Sequence, residues 1–98
     1  MLIQFSCKTN PDVSMFESYA KHMLKLMNQS GKIPGALRPE DIAVALSSLQ
    51  QGLKAETNDD TDDDDISMNT RAYPLIQLLK HAIAEKEYVT WDYDTNLL

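Results

Sequence analysis

The chain has 98 residues, of which 43% are hydrophobic and 24% are charged. This length and composition are typical of one globular domain with a single apolar core. No stretch approaches the ~20 consecutive apolar residues that span a bilayer, and the opening residues lack the basic and apolar regions of a signal peptide. The single cysteine excludes an intrachain disulfide, so we expect a cytoplasmic protein without a membrane partner.

The formal charge of −6 is concentrated in one segment. Seven of the 15 acidic residues lie close together: Glu56, Asp59, Asp60, Asp62, Asp63, Asp64 and Asp65. Without them, eight acidic residues oppose nine basic ones, so the remaining body carries a formal charge of +1. We interpret residues 55–66 as a disordered acidic loop within a single domain over 1–98. A nearly neutral body predicts no nucleic-acid partner, because such binding needs a basic field.

The first predicted element is a β-strand over residues 2–8. Ile3, Phe5 and Cys7 alternate with polar side chains. A period of two is typical of a strand that buries one face, so these three side chains are expected in the core.

The next predicted element is an amphipathic helix over residues 11–29. Apolar side chains recur at steps of three and four residues from Val13 to Met27. Asn10 is expected to cap this helix, and Pro11 suits its first turn. A stretch rich in glycine and proline then ends it.

Two further helices and a second strand follow. Pro39 begins a helix, and Ser67 caps another in which Pro74 predicts either a kink or a separate first turn. Alternation over residues 89–93 predicts a last strand, which we expect to pair antiparallel with the first. The predicted fold class is α+β, with the order β-α-α-α-β. In this fold the N- and C-terminal strands form a small sheet that packs on three helices.

A two-stranded sheet has two open edges. Such edges need a partner or protection, and a sheet this small is marginal alone. The sequence therefore predicts a homodimer in which two sheets join edge to edge.

Few residues suggest chemistry. The acidic segment lacks the central glycine and distal glutamate of a calcium loop, so we interpret it as solvated and expect no metal site there. Cys7 is expected on the buried face as an inert thiol, while His22 and His81 are expected on solvated helix faces. No phosphate-binding loop or nucleophile elbow occurs. The sequence therefore predicts neither catalytic residues nor a cofactor.

Several stretches carry a resemblance to a known family. They are Met1-Leu2-Ile3-Gln4-Phe5, Asp12-Val13-Ser14-Met15-Phe16, Leu24-Lys25-Leu26, Pro39-Glu40, Arg71-Ala72-Tyr73-Pro74-Leu75-Ile76 and Trp91. In this order and spacing they resemble the small bacterial proteins of the domain of unknown function eighteen-forty family. The resemblance implies a compact bacterial cytoplasmic protein. It brings no catalytic or binding residues, because the family has no established activity.

We hypothesise a non-catalytic module that binds another protein or a small ligand. Its predicted interaction surface combines the outer sheet face with two further positions: Gln4, Ser6, Arg71, Tyr88, Thr90 and Trp91. The first alternative is a small enzyme or enzyme subunit whose site forms at an oligomer interface. A deep polar pocket at Arg71, Cys7 or His81 would favour that alternative. A second alternative assigns binding of a basic partner to the acidic segment.

Overall fold

Four strands and three helices make up the part of the chain that the computed structural model describes, residues 1–29, 31–57 and 68–94. The elements are β1 (Leu2–Ser6), β2 (Val13–Phe16), α1 (Glu17–Leu26), β3 (Gly35–Leu37), α2 (Pro39–Thr57), α3 (Met68–Glu85) and β4 (Val89–Tyr93). The α+β class and the order of the main elements are confirmed. The predicted cap Ser67 and most of the predicted acidic loop lie outside the described residues.

The sheet has the strand order β2-β1-β4-β3, and every neighbouring pair is antiparallel. The predicted antiparallel pairing of the first and last strands is confirmed, with Phe5 opposite Trp91. Their rings lie with centroids 6.0 Å apart. The sheet is nevertheless twice as wide as expected, because β2 and β3 flank the two central strands.

The helix prediction over 11–29 was wrong in its first third. Residues Val13–Phe16 form β2, which pairs with β1 as a hairpin, and α1 begins only at Glu17. Asn10 is therefore not a helix cap, and its side chain donates to the carbonyl of Pro11 within the hairpin connection. The reason is that pairing satisfies the backbone groups of β1, which a helix at this position would leave open.

Two helices end in the same backbone motif. At the end of α1 the amide of Gln29 donates to the carbonyl of Leu24, and the amide of Asn28 donates to that of Lys25. The end of α3 repeats both bonds, and its left-handed position is occupied by Lys86 with φ 57°. These are Schellman motifs, which satisfy the last free carbonyls of a helix. The second motif turns the chain from α3 toward β4.

Strand β3 is short and lies against the one tryptophan. Gly35 pairs with Trp91, and the indole Nε1 donates to the carbonyl of Lys32 at 2.9 Å. No strand was predicted here, because three residues are too few to show a period. The bond satisfies the polar atom of a ring that is only 4% exposed.

The helices pack with few interruptions. The start of α2 at Pro39 is confirmed. α3 is one continuous helix that contains Pro74, so the alternative of a separate first turn was wrong. In α2, Gly52 allows Leu26 of α1 to approach, since a Cβ there would lie 2.6 Å from a Leu26 methyl carbon. Beside this contact the Ser48 hydroxyl donates to the Leu26 carbonyl at 2.7 Å.

The two faces of the sheet differ. One face, here called the inner face, joins all three helices in a single cluster of buried apolar side chains. Its strand members include Ile3, Phe5, Leu37, Val89 and Trp91. Within the described residues, this cluster contains no buried polar or charged side chain. The opposite or outer face carries side chains that are exposed or half-buried, so the sheet is covered on one side.

Candidate functional site

The outer face gathers four of the predicted surface residues. Ser6 and Thr90 are directly opposite each other on β1 and β4, and Gln4 follows two positions along. Tyr88 precedes β4 and is 59% exposed. The two strands thus place hydroxyl, amide and phenol groups on one open surface, whereas no single strand would bring them together.

A groove of about 500 Å³ opens at one end of this face. Ser6, Tyr88 and Thr90 line it together with Cys7, Lys8 and residues 85–87. The groove is open rather than deep, and its lining combines an aromatic ring, hydroxyls and charges of both signs. It is suited to contact a side chain or a small polar group of a partner.

The two remaining predicted residues do not join this surface. Trp91 points to the inner face, where it packs on Phe5. The alternation that predicted the strand also predicts this orientation, because neighbouring residues of a strand point to opposite faces of the sheet and Thr90 lies on the outer one. Arg71 belongs to α3, and its side chain lies outside the described residues.

Beside the groove, three polar side chains form a compact cluster that the sequence did not predict. The hydroxyl of Thr9 lies 2.6 Å from His81 Nε2 and 2.7 Å from Glu87 Oε2. The Thr9 amide also donates to Glu87 Oε1 at 3.1 Å. This cluster ties the segment after β1 to α3 and to the start of β4. No local pattern could have indicated it, since Thr9 and Glu87 are 78 positions apart.

The hydrogen bonds fix the direction of proton donation in the cluster. An ionised carboxylate only accepts, so the Thr9 hydroxyl must donate to Glu87. That hydroxyl has one proton, and His81 Nε2 must therefore be the donor toward Thr9. An activated threonine nucleophile needs the reverse arrangement, in which the imidazole accepts the hydroxyl proton. The cluster is therefore arranged to brace three segments rather than to activate Thr9.

The carboxylate of Glu87 has a lowered pKa. The leading cause is the hydrogen bond from the Thr9 hydroxyl, because it stabilises the ionised form. The amide of Thr9 and the thiol of Cys7 lower the pKa of Glu87 further. The bonds that brace the segments thus keep Glu87 ionised.

Cys7 lies at the edge of this cluster. The surroundings of Cys7 and of His81 both differ from those that the sequence predicted. β1 ends at Ser6, so Cys7 is half-buried rather than enclosed, although it does pack against the core. His81 is not simply solvated, since it forms a hydrogen bond with Thr9. Thr9 in turn bonds to Glu87, which lies beside the Cys7 thiol. Burial is the largest cause of a raised pKa for Cys7, and Glu87 raises it further. A raised pKa favours the protonated thiol, which is a poor nucleophile.

A second charged cluster lies at the other end of the sheet. Glu17 accepts a hydrogen bond from the Tyr93 hydroxyl at 3.1 Å and pairs with Lys21 at 3.2 Å. The bond with Lys21 is the leading cause of a lowered pKa of Glu17. The same carboxylate raises the pKa of Tyr93. This arrangement joins α1 to β4 and leaves these groups mutually satisfied.

Over the ranges that the structure describes, no three His, Cys, Asp or Glu side chains are grouped so as to hold a metal ion. Most of the acidic segment falls outside those ranges. In the same described part of the chain, no helix has both the length and the apolar character that crossing a membrane requires.

The chain was compared with known proteins and structures. No curated protein and no solved structure matches it. Residues 1–91 match a protein family described as "Domain of unknown function (DUF1840)". The match covers all four strands except the end of β4, and it confirms the resemblance seen in the sequence. The chain therefore belongs to this family.

Proposed function

We propose that this protein is a non-catalytic interaction module that binds a partner with the outer face of its sheet. The observation that carries the proposal is the unequal covering of the two faces: the helices pack on the inner face, while Gln4, Ser6 and Thr90 remain accessible. Polar side chains beside an exposed aromatic such as Tyr88 are a composition that interfaces share. The partner is another protein or a small polar ligand.

The chemistry of the groove favours binding over catalysis. Thr9 donates its proton to Glu87 and is not activated by His81. The raised pKa of Cys7 keeps its thiol protonated. The enzyme alternative therefore gains no support from the side chains beside the groove.

Self-association is part of the proposal. β3 forms one edge of the sheet. It has only three residues and is followed by Arg38 and Pro39, and a short strand, a charge and a proline each discourage pairing at an edge. β2 forms the other edge with four residues, and Ser14 and Phe16 are exposed. We propose a homodimer through the β2 edge, in a bacterial cytoplasm as the family resemblance implies. Sedimentation that gives a strict monomer throughout the micromolar range would reject the dimer.

The test of the binding surface is affinity capture from bacterial extract with matched variants. Ser6→Arg and Thr90→Arg, made separately, each place a long cation on the outer face. Ser47→Arg makes the same change on the exposed side of α2 and serves as the control. Circular dichroism would verify that all three variants fold.

The expected result is a stoichiometric partner that the wild type and Ser47→Arg retain and that both outer-face variants lose. A chain lacking residues 58–65 should also retain this partner. Loss only upon that deletion would assign binding to the acidic segment instead. A partner held equally by all variants would reject the outer face as the binding surface.

A further inference from the structure

The outer edge of β2 presents a defined set of backbone groups. In an antiparallel pair, residues that exchange hydrogen bonds alternate with residues that do not. The Glu17 amide donates to the Met1 carbonyl at 2.9 Å, in the same register that sets Leu2 opposite Phe16. Phe16 and Ser14 therefore exchange no backbone bonds with β1. Their backbone groups point instead toward the edge of the sheet that the described residues form.

An apolar groove lies along the same edge. It has a volume of about 300 Å³ and is lined by Leu2, Ser14, Met15, Phe16 and Tyr19. The ring of Phe16 is 62% exposed and lies 6.4 Å from that of Tyr19. Ser14 is also exposed but has a small side chain, so a space lies next to a large ring. An exposed cluster of apolar side chains marks an interaction surface.

We propose that a second copy of this chain pairs antiparallel with β2, so that Met15 lies opposite Met15 and Phe16 of each copy enters the groove of the other. This inference rests on the homodimer of the proposed function and specifies its register and contacts. A two-fold axis perpendicular to the sheet relates the two edges, so the same surface serves both copies. In this register Ser14 lies opposite Phe16 of the second copy, and both side chains are on the outer face.

The backbone groups fit this register. With Met15 on the axis, the amide of each Phe16 lies opposite the carbonyl of Ser14 in the second copy, and both groups point into the interface. Symmetry makes this two hydrogen bonds. The carbonyl of Phe16 is not counted, because Phe16 is the N-cap of α1 and the carbonyl of an N-cap accepts the first helical bond.

The side chains favour this register over one shifted by two residues. The shifted pairing sets Ser14 opposite Ser14 and Phe16 opposite Asp12, which precedes β2 and accepts a bond from Gln4. It therefore places an aromatic ring beside a carboxylate and leaves the space at Ser14 without a large side chain. In the proposed register the Cβ atoms of Ser14 and the second copy's Phe16 are ~5 Å apart, and the small serine leaves room for the ring.

The dimer has a consequence for binding. Its two sheets form one sheet of eight strands, and the two-fold axis leaves both outer faces on the same side. The two β1 strands are three strand spacings apart, which is ~14 Å. Ser6 and Thr90 of both copies thus belong to one continuous surface. This surface suits a partner that is itself two-fold symmetric or that carries two binding segments.

The register is tested by disulfide cross-linking of single-cysteine variants in a Cys7→Ser background. Residues opposite each other in a pair without hydrogen bonds have Cα atoms ~4.5 Å apart, which a disulfide can span. Met15→Cys is therefore expected to form a covalent dimer upon mild oxidation. Ser14→Cys is the register control, because its two copies are diagonal neighbours ~7–8 Å apart and should not cross-link. Val44→Cys, at a position that is 70% exposed on α2, controls for random collision.

The possible results separate this inference from the proposed homodimer. Cross-linking of Ser14→Cys in preference to Met15→Cys would overturn the register. Equal cross-linking of all three variants would indicate collision and would overturn it too. A dimer in sedimentation without a covalent product from Met15→Cys would reject this register and leave the homodimer standing. A monomer in sedimentation would reject both, while the capture experiment tests the outer face separately. Circular dichroism verifies folding of each variant.

A second measurement tests the exchange of Phe16 between the copies. Phe16→Ala is expected to raise the dissociation constant of the dimer at least about tenfold, because it removes the large apolar side chain from the interface. Tyr73→Ala removes a ring of the same 62% exposure from α3 and should leave the constant unchanged. Sedimentation over a range of concentrations measures both. An unchanged constant in Phe16→Ala, or an equal change in Tyr73→Ala, would overturn the assignment of the groove.

Discussion

Gly35 lies against the indole of Trp91 so closely that a Cβ atom at position 35 would be 2.5 Å from two carbons of the ring. The indole has little freedom to move away. It is buried against Phe5 on one side, and its Nε1 is held by the carbonyl of Lys32. Gly35 and Trp91 lie directly opposite each other on β3 and β4. Their contact thus fixes the edge strand β3 to the core.

Gly35→Ala is therefore expected to lower the free energy of unfolding by about 1–3 kcal/mol, the usual cost of overpacking a core. Urea unfolding followed by Trp91 fluorescence measures both the stability and the environment of the ring. Ala36→Ser, a small change at the exposed neighbouring position, should alter stability by less than about 0.5 kcal/mol. If Gly35→Ala were as stable as the wild type, the ring would be freer to shift than its contacts indicate.

Lys86→Gly is expected to stabilise the protein. Lys86 occupies the left-handed position of the Schellman motif that ends α3, with φ 57°. A side chain costs about 1–2 kcal/mol in this conformation, and glycine avoids that cost. Glycine also gives the unfolded chain more freedom, at a cost of about 0.4–1 kcal/mol. The net gain should be about 1 kcal/mol, measured as a higher midpoint of urea unfolding.

The matched control for this change is Lys80→Gly. Lys80 is exposed within α3, where glycine costs about 1 kcal/mol relative to good helix formers. The two substitutions should therefore move the midpoint in opposite directions. A loss of stability in both would mean that Lys86 contributes a contact that outweighs its backbone strain.

Thr9→Val is expected to make stability less dependent on pH in the acidic range. The hydroxyl of Thr9 is the leading cause of the lowered pKa of Glu87, whose ordinary value is 4.5. A carboxylate with a lower pKa in the folded chain stabilises the fold above its unfolded pKa. That contribution is lost as the pH falls through the folded pKa. The urea midpoint should therefore decrease less steeply on acidification below about pH 5 in Thr9→Val than in the wild type.

Thr9→Ser keeps the hydroxyl and provides the control. Its pH dependence should follow that of the wild type, even if loss of the methyl group lowers stability at every pH. Identical slopes for Thr9→Val and the wild type would show that the bond to Glu87 does not stabilise the ionised carboxylate.

The sequence predicted the elements whose periods are long enough to be unambiguous. β1 and β4 alternate over five residues each, and α2 begins at Pro39 as its dipole and proline signals indicate. β2 was missed because Val13 and Phe16 fit the spacing of a helix stripe as well as that of a strand. Only the pairing with β1 decides between them, and pairing is a property of the fold rather than of the segment.

The polar cluster of Thr9, His81 and Glu87 could not be predicted either, because it also depends on contacts between segments that are distant in the sequence. Thr9 and His81 are 72 positions apart, and neither lies in a pattern that suggests chemistry. Alternation did predict that Gln4, Ser6 and Thr90 share the outer face. It could not indicate the groove, because the end of α3 and its Schellman motif form part of the lining.

Cys7 is expected to react slowly with iodoacetamide. Burial is the leading cause of its raised pKa, whose ordinary value is 9.0, so the thiolate fraction at about pH 8 should be below that of an unstructured thiol. The rate of alkylation, measured by mass spectrometry on the native protein, should be lower than that of the same chain in concentrated urea. Reaction of the native protein faster than the unfolded chain would indicate an activated thiolate and would support the enzyme alternative.

Glu87→Gln tests the second cause of the raised pKa. The Glu87 carboxylate raises the pKa of Cys7 by accepting a hydrogen bond from the protonated thiol and by its negative charge. Replacing it with an amide removes the charge and should lower the pKa of Cys7, so native alkylation becomes faster than in the wild type. Thr9→Val keeps the Glu87 carboxylate and separates this electrostatic effect from loosening of the cluster. An equal acceleration in both variants would point to loosening, because only Glu87→Gln removes the charge beside the thiol.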